Sequence, residues 1–174
     1  MTHDHFDHDA VYRVTGLPTV VRHAIKLEMR DLRLTGYADW HVPGHSSAGL
    51  VNMIFVLESG GVRVCHLGDN RYPPPAEIVN AIGHVDVLTV PADDSCHLLN
   101  YDEVDGFIET FNPRVTIPVH YFVPGVTAAE STLEPPDGWL ERHNNAERVA
   151  GTVRLDAATL PNEPEIWLMR AELD

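Results

Sequence analysis

Three imidazoles and two carboxylates fall within six residues at the start of the chain, His3-Asp4-His5-Phe6-Asp7-His8. Imidazole nitrogen binds zinc at ~2.0–2.1 Å and carboxylate oxygen at a similar distance, so a compact turn carrying both can surround one divalent ion or share two. The same run fits two plainer readings. One is a polar terminus; the other is copper or nickel chelation by a free amine with histidine at position three, since these ions take square-planar nitrogen donors. Further polar clusters lie downstream at His66-Leu67-Gly68-Asp69-Asn70, Asp93-Asp94-Ser95 and His120-Tyr121. Each on its own is equally a helix cap or a solvated turn.

The elements that must position these groups follow from the apolar pattern. Ile25, Leu27 and Met29, then Leu32 and Leu34, alternate on either side of Arg30-Asp31 and predict paired strands. Leu50 to Leu57 and Val62 to Cys65 flank Ser59-Gly60-Gly61, a turn in which glycine supplies positive φ, and predict a second hairpin. The chain then alternates strand and helix: strand 62–67, helix 76–82, strand 85–90, helix 101–111, strand 115–119. Val104, Phe107, Ile108 and Phe111 share one face of the helix at 101–111, and Asn100 is placed to cap it. Thr152 to Leu155 and Glu165 to Arg170 are expected as closing strands. In open α/β sheets ligands bind beyond the carboxyl ends of the strands, and the three downstream clusters sit at three such ends. They are expected to converge on one crevice.

The 174 residues suit one α/β domain spanning 1–174, with 44% hydrophobic and 22% charged residues. Twelve Lys and Arg against 26 Asp and Glu give a net charge of −14, which opposes nucleic acid as a partner. The longest apolar stretch, Leu50 to Leu57, is too short to cross a bilayer and contains Asn52. Two cysteines, Cys65 and Cys96, form no disulfide framework, and a cytoplasmic setting is expected. Cys65 reads as core. Gly44-His45-Ser46-Ser47-Ala48 lacks the second glycine of a nucleophile elbow, which argues against a serine hydrolase.

The pattern His3-x-His5-x-Asp7-His8 resembles the signature of the metallo-beta-lactamase superfamily. The resemblance continues in order through Asn52 to Glu58, Gly61 to Asp69, Val85 to Leu88 and Ile117 to Tyr121. These segments look like the branch that contains ascorbate-phosphate lactonase-like and other Zn-dependent hydrolases. The resemblance implies an αββα four-layer sandwich with metals at one edge between two sheets. The family signature ordinarily follows a buried strand, yet here it begins at residue 3. The implied domain is therefore truncated at its N-terminus, with an exposed sheet edge that invites a homo-oligomer or another partner.

Carried over residue by residue, the resemblance implies one metal held by His3, His5 and a later histidine, and a second held by Asp7, His8 and His120, with Asp69 bridging. His41 is favoured as the later histidine because it directly ends the strand-like run to Trp40; His45 is the alternative. Two divalent ions are implied, zinc first, with manganese or iron as alternatives. A hydroxide held between them would attack a small ester, lactone, amide or phosphoester. Asp7 and Asp69 are the candidate catalytic residues, and Asp93, His97 and Tyr121 are candidates near the leaving group. His66 is either a support to a ligand or a satisfied core histidine. Asp93 and Asp94 would repel phosphate-rich ligands unless the metals or Arg71 compensate, which favours a neutral or singly charged small molecule. A phosphodiesterase or nuclease of the same superfamily and a catalytically silent metal-binding subunit are the competing readings.

Overall fold

The apolar alternation around Arg30-Asp31 becomes a hairpin of β1 (Ile25–Met29) and β2 (Leu32–Trp40), with Arg30 in the left-handed region at its turn. The computed structural model of the protein describes residues 1–3, 14–16, 18–43 and 49–171. His5, Asp7, His8 and His45 lie outside the described residues. β3 (Val51–Ser59) and β4 (Val62–His66) form the second hairpin. Gly60 and Gly61 join them at φ 58° and 77°, the two positive values that a two-residue turn matched to strand twist demands.

The β-α rhythm follows as α1 (Ala76–Ile82), β5 (Val87–Pro91), α2 (Tyr101–Phe111) and β6 (Val115–Val119). The chain ends with α3 (Asp137–Leu140), β7 (Ala146–Val149) and β8 (Glu165–Met169). The eight strands join one sheet in the order β1-β2-β3-β4-β5-β6-β8-β7. Pairing is antiparallel from β1 to β4 and parallel from β4 through β5, β6, β8 and β7. This is the expected α/β class. The register runs unbroken through Leu57, Val64, Val87 and Val115, so the described strands form one continuous sheet.

Strand alternation sorts the sheet into two faces. Ile54, Val56, Cys65, Leu88 and Val90 pack with Ile82, Phe107 and Trp139 from the three helices. The other parity places Val62, Val87, Val115 and Trp167 against Leu155 and Leu160. The expected strand at Thr152 to Leu155 is therefore not one: that stretch covers the second face, and β7 takes the edge beside β8.

α2 forms where its sequence says it should. The Asn100 side chain accepts from the Glu103 backbone N–H at 3.0 Å, and Glu103 accepts from the Asn100 N–H at 2.9 Å. This reciprocal cap satisfies donors that the first turn leaves orphaned. Val104, Phe107 and Phe111 are buried from this helix, and truncating a side chain such as Phe107 to alanine typically costs about 3–5 kcal/mol.

The two cysteines differ in environment. Cys65 is fully buried in β4, and burial pushes its thiol up to about 12; Cys96 is exposed, with its thiol raised by partial burial and by Asp93. The thiolate is the reactive form. The native protein is expected to give one thiol per chain, slowly, with a disulfide-exchange reagent at pH 8, and a second only in denaturant. Two thiols titrating natively would contradict the packing of β4.

Candidate metal centre

Three imidazoles converge on one carboxylate oxygen. His3 Nε2 and His41 Nε2 each lie 3.3 Å from Asp69 Oδ2, and His120 Nε2 lies 3.6 Å from the same atom. His3, His41 and Asp69 are buried, and their candidate ligand atoms lie within 4.8 Å of one another. Tetrahedral zinc with bonds of ~2.0–2.1 Å places its ligand atoms roughly 3.3 Å apart, whereas N–H···O hydrogen bonds run about 2.7–3.2 Å. Donor type, spacing and burial all fit a divalent cation.

Each ligand is held by its own element. His41 closes β2: its backbone N–H donates to Leu50 O at 2.9 Å, and it bridges to Asn70. Its Nδ1 lies 2.7 Å from the Val42 carbonyl, so Nδ1 carries the proton and Nε2 presents its lone pair to the site. Burial opposes a charge on this ring, but the Asp69 carboxylate and the Val42 carbonyl together raise His41 above the ordinary imidazole range. His120 follows β6 with φ 59°, a left-handed turn that redirects the chain at the strand end.

His3 is tied down by the contacts of its own segment. The Thr2 carbonyl accepts from the Met53 N–H at 2.7 Å, the Met1 amino group donates to Val21 O at 3.1 Å, and Thr2 Oγ1 lies 3.0 Å from His3 Nδ1.

A buried polar network that the sequence reading did not identify sits beneath Asp69. Asn52, fully buried in β3, donates to Leu67 O at 2.8 Å and Asn70 Oδ1 at 3.0 Å. Its own Oδ1 accepts from the Asp69 N–H at 3.2 Å. Asn70 donates on to Asp39 at 2.9 Å, and Arg71 reaches the other Asp39 oxygen through Nε at 3.2 Å and Nη2 at 3.1 Å. The signal was present: a lone asparagine in an apolar strand needs partners. Gly68, at φ 59°, completes the arrangement, since a Cβ there would lie 2.5 Å from Asn52 Oδ1 and 2.7 Å from Thr2 Cβ.

The remaining expected residues divide by position. The His97 ring lies parallel to His120 with centroids 6.0 Å apart, beside the cluster. Asp93 is buried and accepts from the Ser95 N–H and hydroxyl, so it shapes its own loop. Asp94 accepts from Tyr101 and from the Gly138 and Trp139 N–H groups, which pins α3. Arg71 is committed to Asp39 rather than offsetting Asp93 and Asp94. Tyr121 lines a cavity at the ends of β8 and β7, its phenol raised by burial and partly lowered by Arg148. His66 Nδ1 lies 2.5 Å from Thr89 Oγ1.

Histidines and an aspartate gathered at one edge of a mixed sheet form a candidate metal centre in a protein of the α/β class. A family model described as a beta-lactamase superfamily domain matches residues 1–120, and the chain belongs to the metallo-beta-lactamase superfamily. A UPF0173 protein of Pyrococcus abyssi is 37% identical over 71 residues, 41% of this chain and 32% of that protein, so the match covers about a third of the relative. A crystal structure from Thermotoga maritima, described as a Zn-dependent hydrolase of this superfamily, matches with TM-score 0.74 and 27% identity, covering 97% of this chain and 78% of that one. The metallo-beta-lactamase fold protein YhfI of Bacillus subtilis shares the fold at TM-score 0.51 and 12% identity, over 87% of this chain and 52% of that one.

Replacing Asn52 by leucine leaves the Asp69 N–H and the Asn70 amide without their buried partner, a loss that costs about 1–3 kcal/mol. Zinc affinity, read by competition with a chromophoric chelator, is expected to fall roughly 10–100-fold. Gly68→Ala should do the same through the clash at its Cβ. Unchanged affinity in both variants would remove the network from the support of the site.

Proposed function

We propose that the chain is a metal-dependent hydrolase acting on a small ester, lactone or amide. The observation that carries this reading is the convergence of three Nε2 atoms on the buried Asp69 Oδ2 at 3.3–3.6 Å in a superfamily member. His3, His5 and His41 would hold one cation, and Asp7, His8 and His120 the other, with Asp69 between them. Two divalent ions supply charge stabilisation and an activated water at neutral pH.

The chain's own residues then have separate tasks. Asp69 orients the reacting groups, its backbone fixed through the Asn52 amide. Val42 keeps the His41 proton on Nδ1. His97, stacked along His120, is the candidate for contact with the leaving group. Among the described residues beside the cluster, the engagement of Arg71 by Asp39, together with the net charge of −14, disfavours phosphate-rich substrates.

The test is elemental analysis of untagged protein combined with an ester and lactone panel. Two metals per chain and turnover abolished by chelator and restored by zinc are expected. Asp69→Ala, with its circular dichroism unchanged, should lose roughly 10²–10⁴-fold, the range for a positioned catalytic group. Undiminished turnover in that variant would overturn the reading, and stoichiometric metal with no turnover on any substrate would favour a silent metal-binding subunit.

A further inference from the structure

The parallel half of the sheet brings more than the metal ligands to its carboxyl edge. Asp69 follows β4, Asp93 follows β5 and His120 follows β6. The next strands in the sheet, β8 and β7, end at Met169 and Val149. Beyond them lies a cavity of about 340 Å³ whose rim begins at Tyr121, the residue after His120. Ligands of open α/β sheets bind along this edge, and the volume falls in the ~300–1,000 Å³ range of small-molecule sites.

The cavity wall is built by specific contacts. The Phe122 N–H donates to Glu134 O at 3.1 Å, which folds the loop after β6 back on the segment before α3. Thr127 Oγ1 accepts from the Val123 N–H at 2.8 Å and fixes the loop's first turn. Phe122, Pro135, Leu168 and Met169 thus form an apolar floor.

Among the described residues, two arginines, Arg148 and Arg170, line this cavity together with one acidic residue, Asp137. That local excess is notable in a chain of net charge −14. Arg148 Nη2 meets Asp137 Oδ1 at 2.6 Å, but the two side chains are 70% and 53% exposed. Exposed pairs of this kind contribute about 0–1 kcal/mol, so an incoming carboxylate can compete for the guanidinium, which binds carboxylates in a bidentate fork.

We infer that this cavity binds a small organic anion, an apolar body of about aryl size ending in a carboxylate, with Arg148 and Arg170 on the carboxylate and Phe122, Leu168 and Met169 on the body. The inference rests on the hydrolase reading for its consequence: the same molecule would present its scissile ester, lactone or amide toward His120 and Asp69. It narrows the substrate class to singly charged amphiphiles, whose anionic end is held away from Asp93 and Asp94.

The probes are 4-phenylbutyrate and its neutral counterpart 4-phenylbutanol, titrated into zinc-loaded protein and followed by amide chemical shifts. The acid is expected to shift residues 121–124 and 168–171 and to bind about tenfold more tightly than the alcohol. Arg148→Gln and Arg170→Gln, both exposed substitutions, should each erase most of that difference while leaving the alcohol unaffected. Equal binding of acid and alcohol, or acid-induced shifts centred on His41 and Asp69, would overturn the inference. Esters with and without a distal carboxylate, assayed in parallel, separate the two claims. Binding at the cavity with no ester turned over would sink the hydrolase reading alone; turnover without carboxylate preference and without cavity shifts would sink the cavity alone.

Discussion

Asn52 and Met53 in β3 hold the two halves of the metal cluster from adjacent residues. The Asn52 side chain receives the Asp69 N–H, and the Met53 N–H ties the Thr2 carbonyl beside His3. A strand is a stiff, hydrogen-bonded element, and β3 is paired on both edges, with β2 and β4. Its rigidity passes to His3, 50 residues before Met53, and to Asp69, 17 residues after Asn52, without any covalent closure. Gly68 lies where the three pieces meet, and the absence of a side chain there lets Asn52, Thr2 and the turn into Asp69 approach one another. Preorganisation of this kind separates a site that merely attracts an ion from one that holds it in a defined geometry.

The change of strand direction along the sheet explains why the ligands come from distant stretches. β1 to β4 are antiparallel hairpins, so β2 and β4 both end at the edge where β3 begins, and His41 meets Asn70 there. From β4 onward the strands are parallel, and each successive carboxyl end contributes to the same edge. Helices return the chain between parallel strands, which is why α1 and α2 pack on the face carrying Leu88 and Val90 while the polar turns gather at the rim.

Much of this was legible in the residues. The Arg30-Asp31 break, the Gly60-Gly61 turn and the amphipathic α2 with its Asn100 cap are local signals, set by alternation, by positive φ and by side-chain capping, and local physics decides them. β7 was not legible, because Ala146–Val149 has no alternating apolar pattern and owes its strand form to pairing with β8. Thr152 to Leu155 has the better pattern but loses the edge position and packs on the second face instead. At the site it was the family resemblance that named His3, Asp69 and His120, with His41 favoured over His45; the structure brings the side chains of His3, His41 and His120 to Asp69 Oδ2. The support beneath them was hidden for the opposite reason. Arg71 looks like a free cation until Asp39, 32 residues earlier, is found beside it, and Asn52 looks like an interruption until Leu67 and Asn70 are found around it.

The pairing of arginines gives the acidic chain its electrostatic layout. Arg33 pairs with Glu28 and shares Glu58 with Arg63 at the hairpin end of the sheet, Arg142 joins Asp102 and Asp105 on the helix face, and Arg71 locks onto Asp39 under the cluster. Each of these fixes one element against another, and each is occupied by acids that outnumber it or match it. At the β8–β7 end of the sheet the described residues lining the cavity include two arginines and one acid, Asp137. A field of one sign in a concave, low-dielectric setting is focused rather than averaged away. A small anion approaching a chain of net charge −14 meets repulsion over most of the surface, and the cavity lined by Arg148 and Arg170 is where the proposed anion would meet the least of it.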